Sequence, residues 1–532
     1  MIPVLRAAIE SFLRPSYARF SKQLEDPWLA QRTLLDELIS NLAATEYGRS
    51  LGVRATDSYE NFAHKLPIVG YDDVGNWIER QKSREGNVMV SERVLFYEKT
   101  SGSSGPARYI PYTRGLKASF NKMFSIWLCD LLRYGPRLET GRTFISISPA
   151  FAHTQTTQRG IKIGLEDDSD YLSPWMRRLL KRFLVVPPSI KRLQDPSDFK
   201  HALSALLIAE PGLEVISIWN PSLIETLLDW TEANRGAVAA TLRAGVFSKE
   251  DNQIRLRRPS AERLALLEAQ PMDWARMWPK LKLISCWAGA HSAQAARRVG
   301  DLFPQALVQG KGLIATEAPL TLPLIEASGF VPLPGEVFYE FLDERGNISL
   351  LHELEPQRRY EIVLTQKGGL YRYRLGDAVR VSHFYKAAPC LEFVGRTDAV
   401  CDMVGEKLNE EFVRECLSRL TLDSSRFQTL LPVMLDGGRS HYTLLADALD
   451  GSEASVEDEV DRLLCGAYHY RNARLLGQLA PVKIRAAPEA REMYYEYFMR
   501  KGMKWGDIKH QYLVRNLDDA ANLLALLDGV NR

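Results

Sequence analysis

The sequence lacks the features that mark several large classes of protein. No uninterrupted apolar run approaches the ~18 residues that a membrane helix needs. The six cysteines are scattered without a C-x-x-C pair, which argues against a disulfide framework and against a zinc site of the usual spacing. Arg6 and Glu10 interrupt the N-terminal apolar stretch, and no A-x-A-like cleavage site follows it. We therefore expect a cytoplasmic protein with reduced thiols and no membrane partner.

An excess of positive or negative charge is also missing. The 68 basic and 66 acidic residues leave a net charge of +2, which gives no electrostatic footprint for nucleic acid. The apolar fraction of 45% and the charged fraction of 25% are ordinary for a soluble enzyme. We expect small-molecule substrates, no nucleic-acid partner and a monomeric state.

The 532 residues suffice for two domains, each with its own core. Between residues 142 and 320, apolar β-rich segments alternate with helical ones, which is typical of a mostly parallel sheet with crossover helices. Residues 335–395 contain strands joined by short turns, a pattern that indicates an antiparallel sheet or barrel. Beyond Arg396 the pattern becomes that of a small α+β domain. We predict an α/β fold: a large domain at 1–396, in which helices layer β-sheets and one part is β-barrel-like, and a smaller α+β domain at 397–532.

The most informative stretch is the Gly/Ser-rich loop in KTSGSSGPARYIPYT, residues 99–113. Its glycines and hydroxyl residues lie between two predicted strands, so backbone N–H groups and hydroxyls can face an anion, and Arg108 adds positive charge. The Walker A pattern and the G-x-S-x-G of a nucleophile elbow are both absent. Taken alone, the stretch fits a flexible surface turn equally well.

A second stretch combines two predicted strands with a helix. One strand ends at residues 288–290, a helix begins after a Ser292 cap and ends at Pro304, and another strand leads to Thr316 and Glu317. A carboxylate at the carboxyl end of a parallel strand is well placed to hold magnesium on phosphates. The sequence GKGLIA within it matches a dinucleotide fingerprint, but two prolines soon after it forbid the helix that this motif needs.

A third stretch, YRYRLGDAVRV, is followed by EFVGRTDAVCDMVGEKLNEEF. Asp377 is predicted in a tight Gly-Asp turn, where its carboxylate can accept both hydroxyls of a ribose. Arg396 is the next candidate ligand for ribose or phosphate. Each alone is more often a turn aspartate and a surface arginine.

In their order and spacing, the three stretches resemble the acyl-adenylate-forming superfamily, which includes acyl-CoA synthetases, firefly luciferase and peptide-synthetase adenylation domains. The motifs T-S-G-S-S-G, Y-R-Y-R-L-G-D and G-E-K-L are most similar to the auxin-conjugating acyl-acid amido synthetases and their bacterial relatives. The resemblance runs from about residue 60 to 515. It implies ATP and Mg²⁺ as cofactors, and a C-terminal domain that moves about a hinge.

The resemblance also assigns roles to individual residues. Those implied to bind ATP are Thr100, Ser101, Gly102, Ser103, Ser104, Gly105, Arg108, Ala288, Gly289, Ala290, Thr316, Asp377 and Arg396. Those implied to be catalytic are Glu317, which also meets the metal, Lys407 and Lys509, and Asp398 falls at the hinge. Lys501 and Lys504 are alternatives to Lys509.

Two departures from the superfamily pattern matter for ATP binding. Leu313 and Ile314 stand where the superfamily has Tyr-Gly, so the ring over adenine is missing or comes from elsewhere. Arg108 replaces the lysine that follows the loop, which keeps the charge but not the compact geometry.

The implied function is ATP-dependent adenylation of a carboxylic acid, followed by transfer of the acyl group to an amine, with an amino acid as the expected acceptor. An acyl-CoA synthetase with a thiol acceptor and a non-catalytic adenylate-binding protein remain as alternatives. The acyl pocket is expected between the 115–190 region and the segment around Trp219, with Trp127 and Phe151 as further candidate lining residues. An S-x-x-K serine hydrolase is disfavoured, because Ser119 and Lys122 have no S-D-N or K-T-G partner motif.

Overall fold

The structure is a computed structural model. It describes residues 2–99, 108–145, 155–164, 174–193, 195–249, 252–289, 292–396, 400–401, 403–404, 406, 408–420, 427–434, 440–449, 451–475, 478–503 and 505–530. Contacts divide the chain into two compact units. The first comprises Met1–Trp219, Thr226–Trp287 and Leu302–Phe393, and the second comprises Asn220–Glu225, Ala288–Asp301 and Val394–Arg532. The second unit thus adds two short segments of earlier sequence to the C-terminal residues.

The helices are spread along the whole chain. They are α1 Ile2–Gln23, α2 Pro27–Ala43, α3 Glu46–Ser50, α4 Tyr59–Lys65, α5 Tyr71–Ser83, α6 Arg114–Tyr134, α7 Pro174–Lys181, α8 Pro196–Ala209, α9 Ser222–Ala233, α10 Arg235–Ala244, α11 Ala261–Glu268, α12 Trp274–Met277, α13 Ala293–Leu302, α14 Glu410–Ser418, α15 Glu453–Leu464, α16 Tyr468–Leu475, α17 Ala490–Arg500 and α18 Leu517–Val530.

The strands form several separate sheets. They are β1 Val94–Lys99, β2 Tyr109–Thr113, β3 Arg142–Ile145, β4 Gln155–Thr156, β5 Lys162–Ile163, β6 Leu213–Ser217, β7 Val246–Lys249, β8 Asn252–Arg255, β9 Leu283–Cys286, β10 Leu307–Gly310, β11 Thr321–Leu324, β12 Gly329–Pro332, β13 Val337–Leu342, β14 Ile348–Leu350, β15 Arg359–Gln366, β16 Tyr373–Tyr385, β17 Ala388–Arg396, β18 Val400–Cys401, β19 Leu408–Asn409, β20 Gln428–Val433, β21 His441–Ala446 and β22 Lys483–Ala486.

A parallel sheet in the order β10-β9-β6-β3 forms in the first unit. Its strands are the apolar segments predicted from the sequence, and the residues of β9 are all buried. Helices connect these strands because a parallel pair needs a crossover. The carboxyl ends of all four strands therefore lie along one edge, which is where open α/β sheets bind ligands.

The long helix α6 packs against one face of this sheet. Its N-terminus is capped by Thr113, whose hydroxyl accepts the Leu116 N–H at 3.1 Å, and its last residue precedes Gly135. Leu131 of α6 packs against Val215 of β6 and the strand beside it. The helix and the sheet thus form one layered core.

An antiparallel sheet in the order β14-β13-β15-β16-β17 follows in sequence, as the short turns predicted. Its inner side chains pack with those of α1, α2 and the hairpin β1–β2 in one large apolar cluster. Together with the parallel sheet, this arrangement confirms the predicted mixed α/β fold.

The C-terminal part of the second unit has its own core. Strand β20 pairs antiparallel with β21, and β21 pairs parallel with β22. Residues of α14, α15 and α16 pack with these strands in a separate apolar cluster. This is the α+β character that the sequence predicts beyond Arg396.

The sequence predicts reduced cysteines and no membrane-spanning helix. All six cysteines are free thiols, and burial is the main cause that raises the pKa of Cys286 to about 12. Among the described residues, no helix has both the length and the apolar character needed to cross a membrane.

Candidate functional site

The predicted phosphate loop connects the two strands of a hairpin. Lys99 of β1 pairs with Tyr109 of β2, so residues 100–108 join neighbouring strand ends. Thr100 to Gly105 lie outside the described residues. Arg108, the last residue of this connection, lies with its guanidinium carbon 5.6 Å from the centre of the Tyr71 ring. The hydroxyl of Tyr71 also accepts the Tyr109 N–H at 2.7 Å, which fixes the start of β2 on α5.

Thr316 and Glu317 occupy the centre of a tight turn after β10. The backbone N–H groups of Ala315 and Ala318 each donate to the other's carbonyl, at 3.1 and 3.2 Å. An isolated antiparallel bridge joins the residues on either side of this pair. Glu317 is half-buried at the tip of the turn, a position from which a carboxylate can reach a ligand.

Tyr112 of β2 holds this turn in place, a role that the sequence analysis missed. Its hydroxyl donates to the Thr316 carbonyl at 2.7 Å. The Tyr112 side chain is fully buried and stacks on Phe96 of β1, with 4.6 Å between ring centres. The hairpin that carries the phosphate loop is therefore tied directly to the turn that carries Glu317.

The backbone before this turn requires a glycine at position 312. Its φ is +77°, in the left-handed region, and a Cβ there would lie 2.7 Å from the Thr321 carbonyl oxygen. The Thr321 hydroxyl also accepts the Leu313 N–H at 2.8 Å. Leu313 and Ile314 pack against the main apolar cluster. Their side chains are aliphatic, so they do not supply the aromatic ring that the superfamily has at this position.

Asp377 lies inside one continuous strand, which corrects the predicted turn between two strands. In the pairing of β15 with β16, Glu361 faces Ala378 and Val363 faces Arg374. One residue of β15 therefore lies opposite three of β16, and Gly376, at φ +81°, lies in this bulge. The bulge redirects the buried Asp377 without ending the strand. A Gly-Asp pair is typical of turns, and only the strand pairing distinguishes a turn from a bulge within a strand.

Ala288 and Gly289 follow β9 and are half-buried, and Ala290 lies outside the described residues. The Ser292 N–H donates to the Gly289 carbonyl at 3.0 Å, and α13 begins at the next residue as predicted. The predicted cap by the Ser292 side chain is wrong, because this buried hydroxyl has no hydrogen-bond partner in the described part of the chain. A buried hydroxyl beside the predicted adenine segment can receive a ligand.

Lys509 is exposed on a backbone that the second unit holds tightly. Its carbonyl accepts the Tyr494 hydroxyl at 3.1 Å, and the Asn220 amide donates to the Ile508 carbonyl at 2.6 Å. The ring of His510 lies 2.9 Å from the Gln428 carbonyl, and burial lowers the pKa of His510 to about 4. Ile508 and the neutral His510 thus anchor the backbone on either side of the exposed Lys509.

Among the remaining candidate residues, Lys501 and Arg396 are described by the structure. Lys501 pairs with the buried Asp519 at 2.6 Å, which gives it a structural role. Lys407, Lys504 and Asp398 lie outside the described residues. Arg396 is the last residue of β17 and is half-buried.

The S-x-x-K pattern has a structural explanation. Ser119 and Lys122 of α6 both donate to the Glu336 carboxylate, at 2.7 and 2.5 Å, and Lys367 donates to it at 3.1 Å. Burial alone would raise the pKa of Glu336, but the two lysines outweigh it and lower that pKa. The serine thus contacts a carboxylate and belongs to an ion cluster that ties α6 to Glu336, the residue before β13.

Solved structures of similar fold define the class. The chain is similar to AtGH3.15 acyl acid amido synthetase in complex with 2,4-DB, with a TM-score of 0.82 and 20% identity over 97% of this chain and 96% of that one. It is also similar to 2-hydroxyisobutyryl-CoA ligase in the postadenylation state, with a TM-score of 0.51 and 11% identity over 97% and 92% of the two chains. The chain therefore shares the fold of these two enzymes.

Family models then match most of the sequence. The GH3 family N-terminal domain matches residues 16–308, the central domain residues 330–396 and the C-terminal domain residues 409–518. The chain belongs to the GH3 family, as its motifs predicted.

Two relatives from Arabidopsis thaliana are similar over nearly the whole length. Indole-3-acetic acid-amido synthetase GH3.4 is 22% identical over 94% of this chain and 91% of its own. 4-substituted benzoates-glutamate ligase GH3.12 is 22% identical over 92% of this chain and 94% of its own. The predicted resemblance to the family of acyl-acid amido synthetases is thereby confirmed.

The link between Tyr112 and the Glu317 turn can be tested with a matched pair of tyrosines. Tyr112→Phe removes the hydroxyl that holds the Thr316 carbonyl, so we expect kcat of the acid-dependent ATP reaction to fall roughly tenfold, since small misplacements of reacting groups are costly. The free energy of unfolding, measured by urea denaturation, should fall by about 1 kcal/mol.

The control is Tyr97→Phe in the same hairpin. The Tyr97 hydroxyl is buried and finds no hydrogen-bond partner among the described residues, so its removal should leave kcat unchanged and cost no stability. Equal kcat in the two variants would show that Tyr112 does not position the turn.

Proposed function

We propose that this enzyme adenylates a carboxylic acid with ATP and transfers the acyl group to the amine of an amino acid. The observation that carries the proposal is the turn bearing Thr316 and Glu317, tied by Tyr112 to the hairpin of the T-S-G-S-S-G loop. Family membership supports it, as do relatives named amido synthetases and a glutamate ligase. The near-balance of charge favours small-molecule substrates over nucleic acid.

In the first half-reaction, a carboxylate oxygen of the acid attacks the α-phosphorus of ATP, and the bond to pyrophosphate breaks. We assign Thr100 to Gly105 and Arg108 to the phosphates, since backbone N–H groups, hydroxyls and a guanidinium suit them. The segment 288–290 takes the adenine, with the Ser292 hydroxyl beside it as a possible donor. Asp377 and Arg396 take the ribose.

Mg²⁺ fits the residues of this site. Among the described residues, no group of three or more His, Cys, Asp or Glu could hold a metal ion. Mg²⁺ typically uses one or two carboxylates together with substrate phosphates, and Glu317 offers one carboxylate on the turn beside the proposed phosphate site. When bound, the ion offsets charge that grows on the phosphates as pyrophosphate leaves.

In the second half-reaction, the amine nitrogen attacks the acyl carbon, the bond to the phosphate oxygen breaks, and AMP leaves.

We propose that Lys509 stabilises the charge on the α-phosphate and carboxylate oxygens during adenylation. Lys407 lies near the phosphate in the same proposal. Asp398 acts as the hinge between domains 1–396 and 397–532, and the boundary between the central and C-terminal family models falls in the same region.

The function test measures products with a panel of carboxylic acids. ATP should be cleaved to AMP and pyrophosphate in an acid-dependent way, because the proposed attack is on the α-phosphorus. Added amino acids should yield amides by mass spectrometry, whereas added CoA should yield no thioester. ADP and an acyl phosphate would contradict adenylation, and a thioester formed in preference to the amide would favour the CoA alternative.

Lys509 can be tested by separating the half-reactions. Lys509→Ala should slow pyrophosphate release by ~10²-fold, the order expected for the loss of one preorganised charge. Amide formation from pre-made acyl-AMP should remain nearly unchanged, because the proposed role ends with adenylation. The matched control is Lys483→Ala, which removes an exposed lysine of β22. Equal loss in both half-reactions, or no loss in either, refutes the role of Lys509.

A further inference from the structure

The parallel sheet ends in polar side chains on the face that packs against α6. Val215 and Leu283 form an apolar cluster there with Leu131 of α6. Side chains on one face of a strand recur every second residue, so Ser217 and Ser285 follow on the same face. The strand register pairs these two serines. The apolar layer under α6 therefore becomes polar toward the ligand-binding edge of the sheet.

Lys311 places a positive charge at this point. Its ammonium donates to the hydroxyls of Ser217 at 2.9 Å and Ser285 at 3.3 Å, and it lies 5.0 Å from the centre of the Trp219 ring. The Lys311 N–H donates to the Cys286 carbonyl at 3.0 Å, so the residue continues the pairing of β10 with β9. The strand backbone therefore fixes the origin of this flexible side chain.

Aromatic and amide groups border the same place. The Trp127 indole of α6 donates to the Gln309 side-chain oxygen at 2.9 Å, and Gln309 pairs with Ser285 in the register. Trp127 and Trp219 are only half-buried. Their rings offer apolar surface to the middle of a bound molecule, next to a cationic end formed by Lys311.

The distance along the chain connects this cluster with the reacting end. Glu317 lies six residues after Lys311 in the sequence, so the two Cα atoms are separated by at most ~20 Å. Both follow β10 at the carboxyl edge of the parallel sheet. A small acid of moderate length can extend from the turn to the cluster.

We infer that Lys311, Ser217 and Ser285 bind a second carboxylate at the distal end of the acyl acid, so that the substrate is a dicarboxylic acid. This inference rests on the proposed function, which sets the end at which the acid reacts. An ammonium and two hydroxyls supply charge and hydrogen-bond donors to a carboxylate. A methyl ester at the same position accepts hydrogen bonds but carries no charge, and it therefore loses the ionic part of the interaction.

The experiment compares each diacid with its own monomethyl ester. The probes are adipate and terephthalate, each beside its monomethyl ester, in the pyrophosphate-release assay with the full-length enzyme. At least one diacid should exceed its ester in kcat/KM by ~10-fold or more, the order expected for a charge-assisted hydrogen bond. Lys311→Met should abolish this preference, and Ser285→Ala should reduce it.

The controls separate the charge from the fold. Lys280→Met removes the same charge at an exposed position, where the lysine side chain is 49% exposed, and it should keep the preference. Lys311→Arg keeps the charge and should retain part of it. Isothermal titration calorimetry of wild-type enzyme with each diacid and ester, without ATP, needs no variant and should show tighter binding of the diacid.

The calorimetry also distinguishes this inference from the proposed function. Diacid binding that Lys311→Met abolishes, without pyrophosphate release from any acid, would support the cluster and contradict adenylation. Adenylation of other acids, with no diacid preference in binding or turnover, would overturn the inference and leave the proposed function intact. A preference that survives in Lys311→Met would also overturn it.

Discussion

A buried hydrogen bond from Tyr112 to the Thr316 carbonyl connects the hairpin of the phosphate loop to the turn of Glu317. These two segments are about 200 residues apart in the sequence, and each carries one part of the proposed phosphate chemistry. Groups that act on one phosphate chain must keep a fixed separation, because reaction rates depend steeply on geometry. Tyr112 also stacks on Phe96 of β1. The packing between the two strands of the hairpin therefore holds the side chain that contacts the turn.

The parallel sheet adds a second constraint. All its strands end at one edge, so any polar residue just past a strand end faces the same region. Ser217, Ser285 and Lys311 reach this edge on the side of α6. Lys311 and the turn of Glu317 both follow β10 in the sequence. In the proposed account, the sheet therefore positions both the end where the acid reacts and the end that selects it.

Much of the fold could be predicted from the sequence because its signals are local. The apolar runs between residues 142 and 320 predicted a parallel sheet, and β6 and β9 are two of its strands. The Gly-Asp pair predicted Asp377 as a site residue in a turn. The bulge that holds Asp377 instead depends on the pairing of β16 with β15. A local pattern cannot reveal that pairing, since it involves a strand that is distant along the chain.

The residues that the sequence analysis missed are those whose roles depend on tertiary contacts. Tyr112 resembles any aromatic residue of a buried strand until its hydroxyl is placed on the Thr316 carbonyl. Lys311 lay within the rejected GKGLIA match, and its serine partners are on two other strands. The Ser292 cap failed for a similar reason, because a local cap signal does not determine where the hydroxyl points.

The central claim is that Glu317 and Asp377 serve one ATP molecule in different ways. Steady-state kinetics of pyrophosphate release by Glu317→Ala and Asp377→Ala, with ATP varied, tests this most directly. Asp377→Ala should mainly raise KM for ATP, by about tenfold or more, since bonds to ribose are the same in ground and transition states. Glu317→Ala should mainly lower kcat, by ~10²-fold, because the Mg²⁺ ion proposed to bind Glu317 offsets negative charge that grows on the phosphates as pyrophosphate leaves. A change in KM alone in both variants would contradict the account.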